Sequence, residues 1–239
     1  MSTPAASAGP APEAEVVDAF RELGVTAFTT GRAAGSFGIH SDEPVRDVMG
    51  RWASLRARLG ATRLATAAQV HGDAILEYDG TWTGWLRGDS ADGHLARARG
   101  TAMAVTVADC VPVFVVHPSG AAAILHSGWR GTAAGIVERA IRRMVALGFE
   151  AGALRVHCGP AICGRCYEVS ADVAARLTGR DPGRSVTVDL RELIVRRVRA
   201  LGVSAVSASE YCTRCDNDRF FSHRAGDVGR QVGVIFAAD

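Results

Sequence analysis

The sequence contains no apolar run approaching the roughly 18 residues that a membrane-spanning helix requires, so no membrane partner is expected. It also lacks a surplus of charge: 27 Lys and Arg against 25 Asp and Glu leave a formal net charge of +2. Arginines and carboxylates are interspersed and no basic stripe stands out, which excludes nucleic acid as an expected partner. Residues 1–14 are rich in Pro, Ala and Ser but have neither a positively charged start nor an apolar h-region. They are predicted to be a disordered tail and not a signal peptide. A cytoplasmic location is therefore expected, where thiols stay reduced. The six cysteines are read first as ligands, nucleophiles or core residues, before disulfides.

What is present fits a globular enzyme acting on a small-molecule substrate. At 239 residues, with 48% apolar and 22% charged, the chain is long enough for a full hydrophobic core. No linker or repeat divides residues 15–239, which predicts a single catalytic domain. Val45, Val48, Met49, Trp52, Leu55 and Leu59 recur at helical spacing, with Gly60 as a stop. Residues 63–70 read as a strand that delivers His71, residues 78–92 as a loop, and residues 101–107 as a strand running into Asp109 and Cys110. A hairpin is predicted around His117-Pro118-Ser119-Gly120, with arms at 113–116 and 121–125, the second leading to His126. A helix is expected after Gly131, with Ile136, Val137, Ala140, Ile141, Met144 and Val145 on one face. Ser170 caps a further helix, and Asp189 with Glu192 makes a capping-box-like start for another. Short strands are expected at 154–156, 203–207 and 231–236. Strands and helices mix without strict alternation, so the predicted fold class is α+β, with mixed β-sheets flanked by helices.

Three residues end apolar, strand-like runs beside glycine or a turn: His71 in Gln69-Val70-His71-Gly72, Cys110 in Ala108-Asp109-Cys110, and His126 in His126-Ser127-Gly128-Trp129-Arg130-Gly131. Two imidazoles and a thiolate suit zinc, with a fourth position open to water or substrate. They equally suit a Cys–His nucleophile pair with a spare histidine. Either way the three mark an active site. Val111-Pro112 reads as a turn that takes the chain away from the sheet. Arg51, Arg130 and Arg224 are candidates for anion recognition, and Arg130 is read as preceding a helix whose free N–H groups suit phosphate. His117 is read as an exposed turn residue, and His94 and His157 as undistinguished. The pairs Cys163/Cys166 and Cys212/Cys215 look like a structural four-cysteine zinc site. About 45 residues separate them, however, against roughly 15–20 in ordinary zinc ribbons, so buried or incidental thiols are expected. Cys158 is read as core.

Five motifs in order resemble the YfiH-like laccase-domain family, from about Val25 to Phe236. They are Gln-Val-His-Gly, Ala-Asp-Cys-Val-Pro, His-Ser-Gly-Trp-Arg-Gly, Gly159-Pro160-Ala161-Ile162 with Cys166-Tyr167-Glu168-Val169, and Phe220-Phe221-Ser222-His223-Arg224. That family is named for polyphenol oxidase activity and is associated with purine nucleoside phosphorylase activity. The resemblance implies zinc ligands at His71, Cys110 and His126, and a compact α+β fold with a shallow cleft holding the metal. Ser36-Phe37-Gly38-Ile39-His40 is similar to the family's Asn-Leu-Gly-x-His stretch, with serine replacing asparagine. Arg51 matches an Asn-Arg pair whose asparagine is Gly50 here. His40 and Arg51 are thereby expected near the substrate.

The implied reaction is phosphorolysis of adenosine, inosine, guanosine and S-methyl-5'-thioadenosine, with accompanying adenosine deamination. Arg51, Arg130 and Arg224 would hold phosphate, while Asp109 or metal-activated water would relieve the departing base. Two other activities stay open. Copper on the same donors would give a polyphenol oxidase, although seven histidines are few for a trinuclear cluster beside a blue-copper site. A Cys–His hydrolase editing peptidoglycan precursors would use Cys110 as nucleophile and His126 or His71 as base.

Overall fold

The computed structural model describes residues 13–239. The expected tail lies outside the described residues over 1–12, and Glu13 and Ala14 belong to the first strand.

Long apolar stretches such as Val111-Pro-Val-Phe-Val-Val116, buried at every position, belong to strands covered on both faces. Two six-stranded sheets meet this demand. The first runs in the order β1 (Glu13–Val16), β2 (Val25–Thr30), β14 (Gln231–Ala237), β7 (Thr101–Val107), β3 (Arg63–Ala67) and β5 (Gly84–Gly88). The second runs β13 (Ala205–Ala208), β10 (Arg155–Cys158), β8 (Val111–Val116), β9 (Ala122–Ser127), β6 (Gly93–Ala96) and β4 (Ile75–Tyr78). A two-stranded ribbon joins β11 (Glu168–Val169) to β12 (Val186–Thr187). Both large sheets mix parallel and antiparallel pairs: β3 runs parallel to β7 and β5, and β10 parallel to β13. This is the mixed-sheet α+β class expected.

Successive side chains of a strand point to opposite faces, and the three cores follow that rule. Met103, Val105 and Val107 of β7, with Ile235 of β14, face Phe114 and Val116 of β8 and Ile124 of β9, filling the space between the sheets. The alternate residues Ala102, Ala104, Val232, Val234 and Phe236 receive helix α1 (Val45–Leu59) through Val48, Trp52 and Leu55. On the far side, Val111, Val113, Val115 and Leu125 pack against α3 (Ile136–Ala146) and α5 (Leu190–Ala200). Each fully buried aliphatic side chain contributes about 1.5–3 kcal/mol. Ser170 caps α4 (Ala171–Thr178) by accepting from Val173 N, and Asp189 caps α5 by accepting from Arg191 N and Glu192 N. Among the described residues no helix is long and apolar enough to cross a membrane.

Four local expectations need correcting. Residues 84–88 form an edge strand where a loop was expected; the strand is half-exposed, with Leu86 turned to solvent, so no apolar alternation marks it. β3 stops at Ala67, and His71 sits on the loop beyond it. Pro112 lies inside β8 opposite His126 and makes no turn. Its carbonyl accepts from Gly159 N just past the end of β10, so the missing proline N–H falls where that ladder ends. The helix expected after Gly131 starts earlier, as α2 (Trp129–Ala134), and breaks at Gly135, whose φ of 80° is left-handed, before α3 begins.

Candidate metal centre

The chain passes from the first sheet to the second between β7 and β8, and Cys110 stands at that crossing. Asp109 directly before it takes a left-handed φ of 76°, a conformation costing about 1–3 kcal/mol in a non-glycine residue unless its surroundings enforce it. They do so here. Thr213 Oγ1 donates to Asp109 Oδ1 at 2.6 Å, Arg224 N donates to Oδ2 at 2.7 Å, and Ile162 N donates to the Asp109 carbonyl at 3.1 Å. Asp109 therefore holds the crossing, with both carboxylate oxygens occupied. These bonds engage the carboxylate that the Ala108-Asp109-Cys110 motif offers as an acid.

His126 comes from the end of β9 and is 3% exposed. Its partner is Asp92, a residue the sequence reading left at the end of a loop. Asp92 is 0% exposed, and its Oδ1 lies 2.7 Å from His126 Nδ1. An ionised carboxylate only accepts, so Nδ1 carries a proton and Nε2 is the ring nitrogen left on the side of Cys110. The same carboxylate accepts from His71 N (2.9 Å), Val70 N (3.1 Å) and Gly72 N (2.7 Å). Three consecutive amides thus wrap one buried charge, and this grip enforces the left-handed φ of 60° at His71. Burial alone would raise the Asp92 carboxyl. The bonds from His126 and the loop amides outweigh it and hold the group below the ordinary carboxylate value. Gln69 completes the loop: its side chain both donates to Thr106 O and accepts from Thr106 N, at 2.8 Å each, as a surrogate strand against β7.

The outcome is convergence. Ligand atoms of His71, Cys110 and His126 all lie within 4.8 Å of one another, and the two imidazole rings meet edge-on with centroids 4.7 Å apart. Burial would raise the Cys110 thiol. The charge and hydrogen bonds of His126, then those of His71, overcome it and push the thiol down, while the Cys110 thiolate and Asp92 push His126 up against its own burial. The glycines of His-Ser-Gly-Trp-Arg-Gly serve the same point. A Cβ at Gly128 would stand 2.7 Å from Cys110 Sγ and 3.4 Å from His71 Cδ2, and one at Gly131 would stand 2.9 Å from Gly72 O. We expect Gly128→Ala to fold, because its backbone is extended, but to weaken metal binding by about 10–100-fold, as displaced supporting groups do. Competition with a chromogenic chelator measures this, and unchanged affinity would show that the methyl is accommodated.

The remaining predicted residues divide. Arg224 reaches the site through its backbone bond to Asp109, and its guanidinium lies 5.1 Å over the ring of Tyr167. Arg130 is exposed inside the first turn of α2, over Trp129 at 4.6 Å, so it does not precede a helix as expected, and six-residue α2 is too short for a developed N-terminal anion site. Tyr167, whose role the sequence did not show, is pushed up to about 12 by burial and then by the Cys110 charge, partly offset by Arg224 and Arg130. Arg51 does not converge on the cluster's residues: it pairs with Glu43 and donates to Ser36 O at 2.8 Å, holding the loop ahead of α1. His40 is exposed on that loop and is not part of the converging group. Cys158 is buried core as expected. His94 is buried against Tyr78, its Nδ1 2.7 Å from the phenol oxygen, and burial pushes it down to about 4.

Fold and site together define a class: two-sheet α+β proteins with a cysteine–histidine cluster where the chain crosses between the sheets. The chain belongs to the multi-copper polyphenol oxidoreductase laccase family, whose pattern matches residues 20–238. A protein of Streptomyces griseus named purine nucleoside phosphorylase is 36% identical over 176 residues, 70% of this chain and 72% of the relative. The crystal structure of YlmD from Geobacillus stearothermophilus superimposes with a TM-score of 0.84 at 27% identity, covering 90% of this chain and 93% of that one. Bacillus licheniformis YfiH shares the fold, with a TM-score of 0.84 at 24% identity over 95% of this chain and 97% of its own.

Proposed function

We propose that this chain is a zinc-dependent purine nucleoside phosphorylase, with adenosine deamination as a second activity of the same site. The observation that carries the reading is the convergence of His71, Cys110 and His126 within 4.8 Å, in a chain 36% identical to a protein named for that activity. The donor set fits zinc: Asp92 fixes the His126 proton on Nδ1, leaving Nε2 as a ligand, and the flanking imidazoles favour the Cys110 thiolate. When bound there, zinc supplies a Lewis acid with an open position that activates water near neutral pH.

The protein's own groups account for the rest. Phosphorolysis of an N-glycosidic bond builds positive charge on the ribose and negative charge on the departing base. Arg130 and Arg224, each resting on an aromatic ring, are the proposed phosphate holders. Tyr167 keeps its phenol proton at neutral pH and is the proposed hydrogen-bond donor to the base, in place of Asp109. Arg51 is assigned to holding the loop that carries His40, and His40 remains a proposed substrate contact. Adenosine, inosine, guanosine and S-methyl-5'-thioadenosine are the proposed substrates.

A second reading has one observation in its favour. The lowered thiol of Cys110 beside His126 also describes a Cys–His hydrolase. Incubating the protein with a nucleoside panel, with and without phosphate, separates the two by mass spectrometry of the products. Ribose-1-phosphate formed only with phosphate is the expected result. Free ribose regardless of phosphate, or a covalent adduct on Cys110, would favour hydrolysis. Turnover of phenols alone by copper-loaded protein would favour the oxidase that the family is named for.

A further inference from the structure

The two Cys-x-x-Cys pairs do not behave as incidental thiols. The sulfurs of Cys163, Cys166, Cys212 and Cys215 all lie within 4.8 Å of one another, with Cys166 and Cys215 Sγ 3.5 Å apart. A tetrahedral zinc with Zn–S bonds of about 2.3 Å places its sulfurs about 3.8 Å from one another. The long interval between the pairs is the length of a crossover, not a defect of the site. β10 and β13 are parallel and level, with Cys158 opposite Ala208. The loops that follow them leave the same sheet end side by side, while β11, α4, β12 and α5 fill the interval. A backbone bridge between Ala161 and Cys212, with Thr213 N donating to Ala161 O at 3.2 Å, zips the loops together.

Three further observations point to a ligand. Cys212 Sγ accepts from Cys163 N at 3.2 Å and from Cys215 N at 3.4 Å, and such amide donors stabilise a thiolate sulfur. Each pair has the same spacing and carries an arginine before its second cysteine, Cys163-Gly-Arg-Cys166 and Cys212-Thr-Arg-Cys215. All four cysteines are free of disulfides.

We propose that these four cysteines form a second, structural zinc site, separate from His71, Cys110 and His126 and independent of the reaction assigned to that triad. The loops that carry it also touch the sheet crossing, where Thr213 Oγ1 donates to Asp109 Oδ1 and Ile162 N donates to the Asp109 carbonyl. No residue of the cluster is assigned to the chemistry.

The test uses the full chain, purified reduced and without added metal, with zinc counted by native and elemental mass spectrometry. The expected content is about two zinc ions per chain. Cys163→Ser with Cys215→Ser is expected to lose one of them and Cys110→Ala the other, so the two sites are scored separately. Cobalt-substituted Cys110→Ala protein is expected to show the intense visible bands of a tetrathiolate centre, which the double cysteine variant lacks. Cys215→His, which leaves a three-cysteine, one-histidine set that zinc accepts, is expected to keep the ion; this guards against mistaking misfolding for metal loss. Unchanged zinc in the double variant, iron in place of zinc, or an intact mass showing two disulfides would each overturn the proposal.

Discussion

Cys110→Ala is expected to abolish phosphorolysis and deamination together, lowering kcat/KM for both by at least about a thousandfold, or about 4 kcal/mol of transition-state stabilisation. Both proposed activities draw on one cluster, and Cys110 is its proposed ligand at the point where the chain passes between the two sheets. The side chain is only half-buried and Ala108-Asp109 is held by backbone and carboxylate bonds that the substitution leaves intact, so the fold should survive. Product chromatography on adenosine and inosine, with zinc content measured on the same preparation, gives the answer. Undiminished phosphorolysis in a variant that has lost the triad's metal would remove the thiolate from the reaction.

Asp92→Asn is expected to be the most destabilising single-atom-scale change in the site. The carboxylate accepts from an imidazole and three amides while fully buried, and an asparagine turns an N–H group toward donors. Breaking one partner of a buried charged pair costs about 3–5 kcal/mol, and loss of the group behind a ligating histidine costs about 10–100-fold in metal affinity. Urea unfolding of the metal-free proteins measures the first quantity and chelator competition the second. The pH dependence has a definite sign. The folded Asp92 carboxyl is held below its ordinary value, so its stabilisation is complete above the unfolded pKa, about 3.9, and is lost as pH falls through the folded value. The gap between wild type and variant should therefore close in acid. A variant as stable as wild type at neutral pH would mean that the loop amides find other partners.

The convergence of His71, Cys110 and His126 is legible because each follows an apolar run beside a small residue, and the chain gathers such residues where strands end. Its support was less so. Asp92 precedes β6 in a stretch whose Gly, Asp and Ser content reads as loop, and nothing local says that a carboxylate there is buried. Its role appears only when β6 pairs with β9 and the loop after β3 folds over both. Asp109 and Arg51 carry chemistry-bearing groups, yet the fold uses them to hold backbone. Tertiary partners 104 and 8 positions away decide this. The meeting of the two cysteine pairs is not legible in the sequence, because sequence separation measures a local ribbon, whereas this chain brings them together through a parallel crossover. Half-exposed β5 has the composition of a turn, and only its neighbour β3 makes it a strand.

Level, parallel β10 and β13 have one more consequence. They bring the two loops together, and residues of the excursion between them also grip those loops: Asp189 Oδ2 accepts from Gly164 N at 3.1 Å, and Arg191 Nη1 donates to the carbonyls of Ser209 and Tyr211 at 2.6 and 2.7 Å. Segments inserted into or deleted from the exposed turn at 179–185, away from Asp189 and Arg191, would leave the four thiols facing one another. That turn is free to diverge or to acquire new surface, while a slip of a single position in β13 would pull the four sulfurs apart.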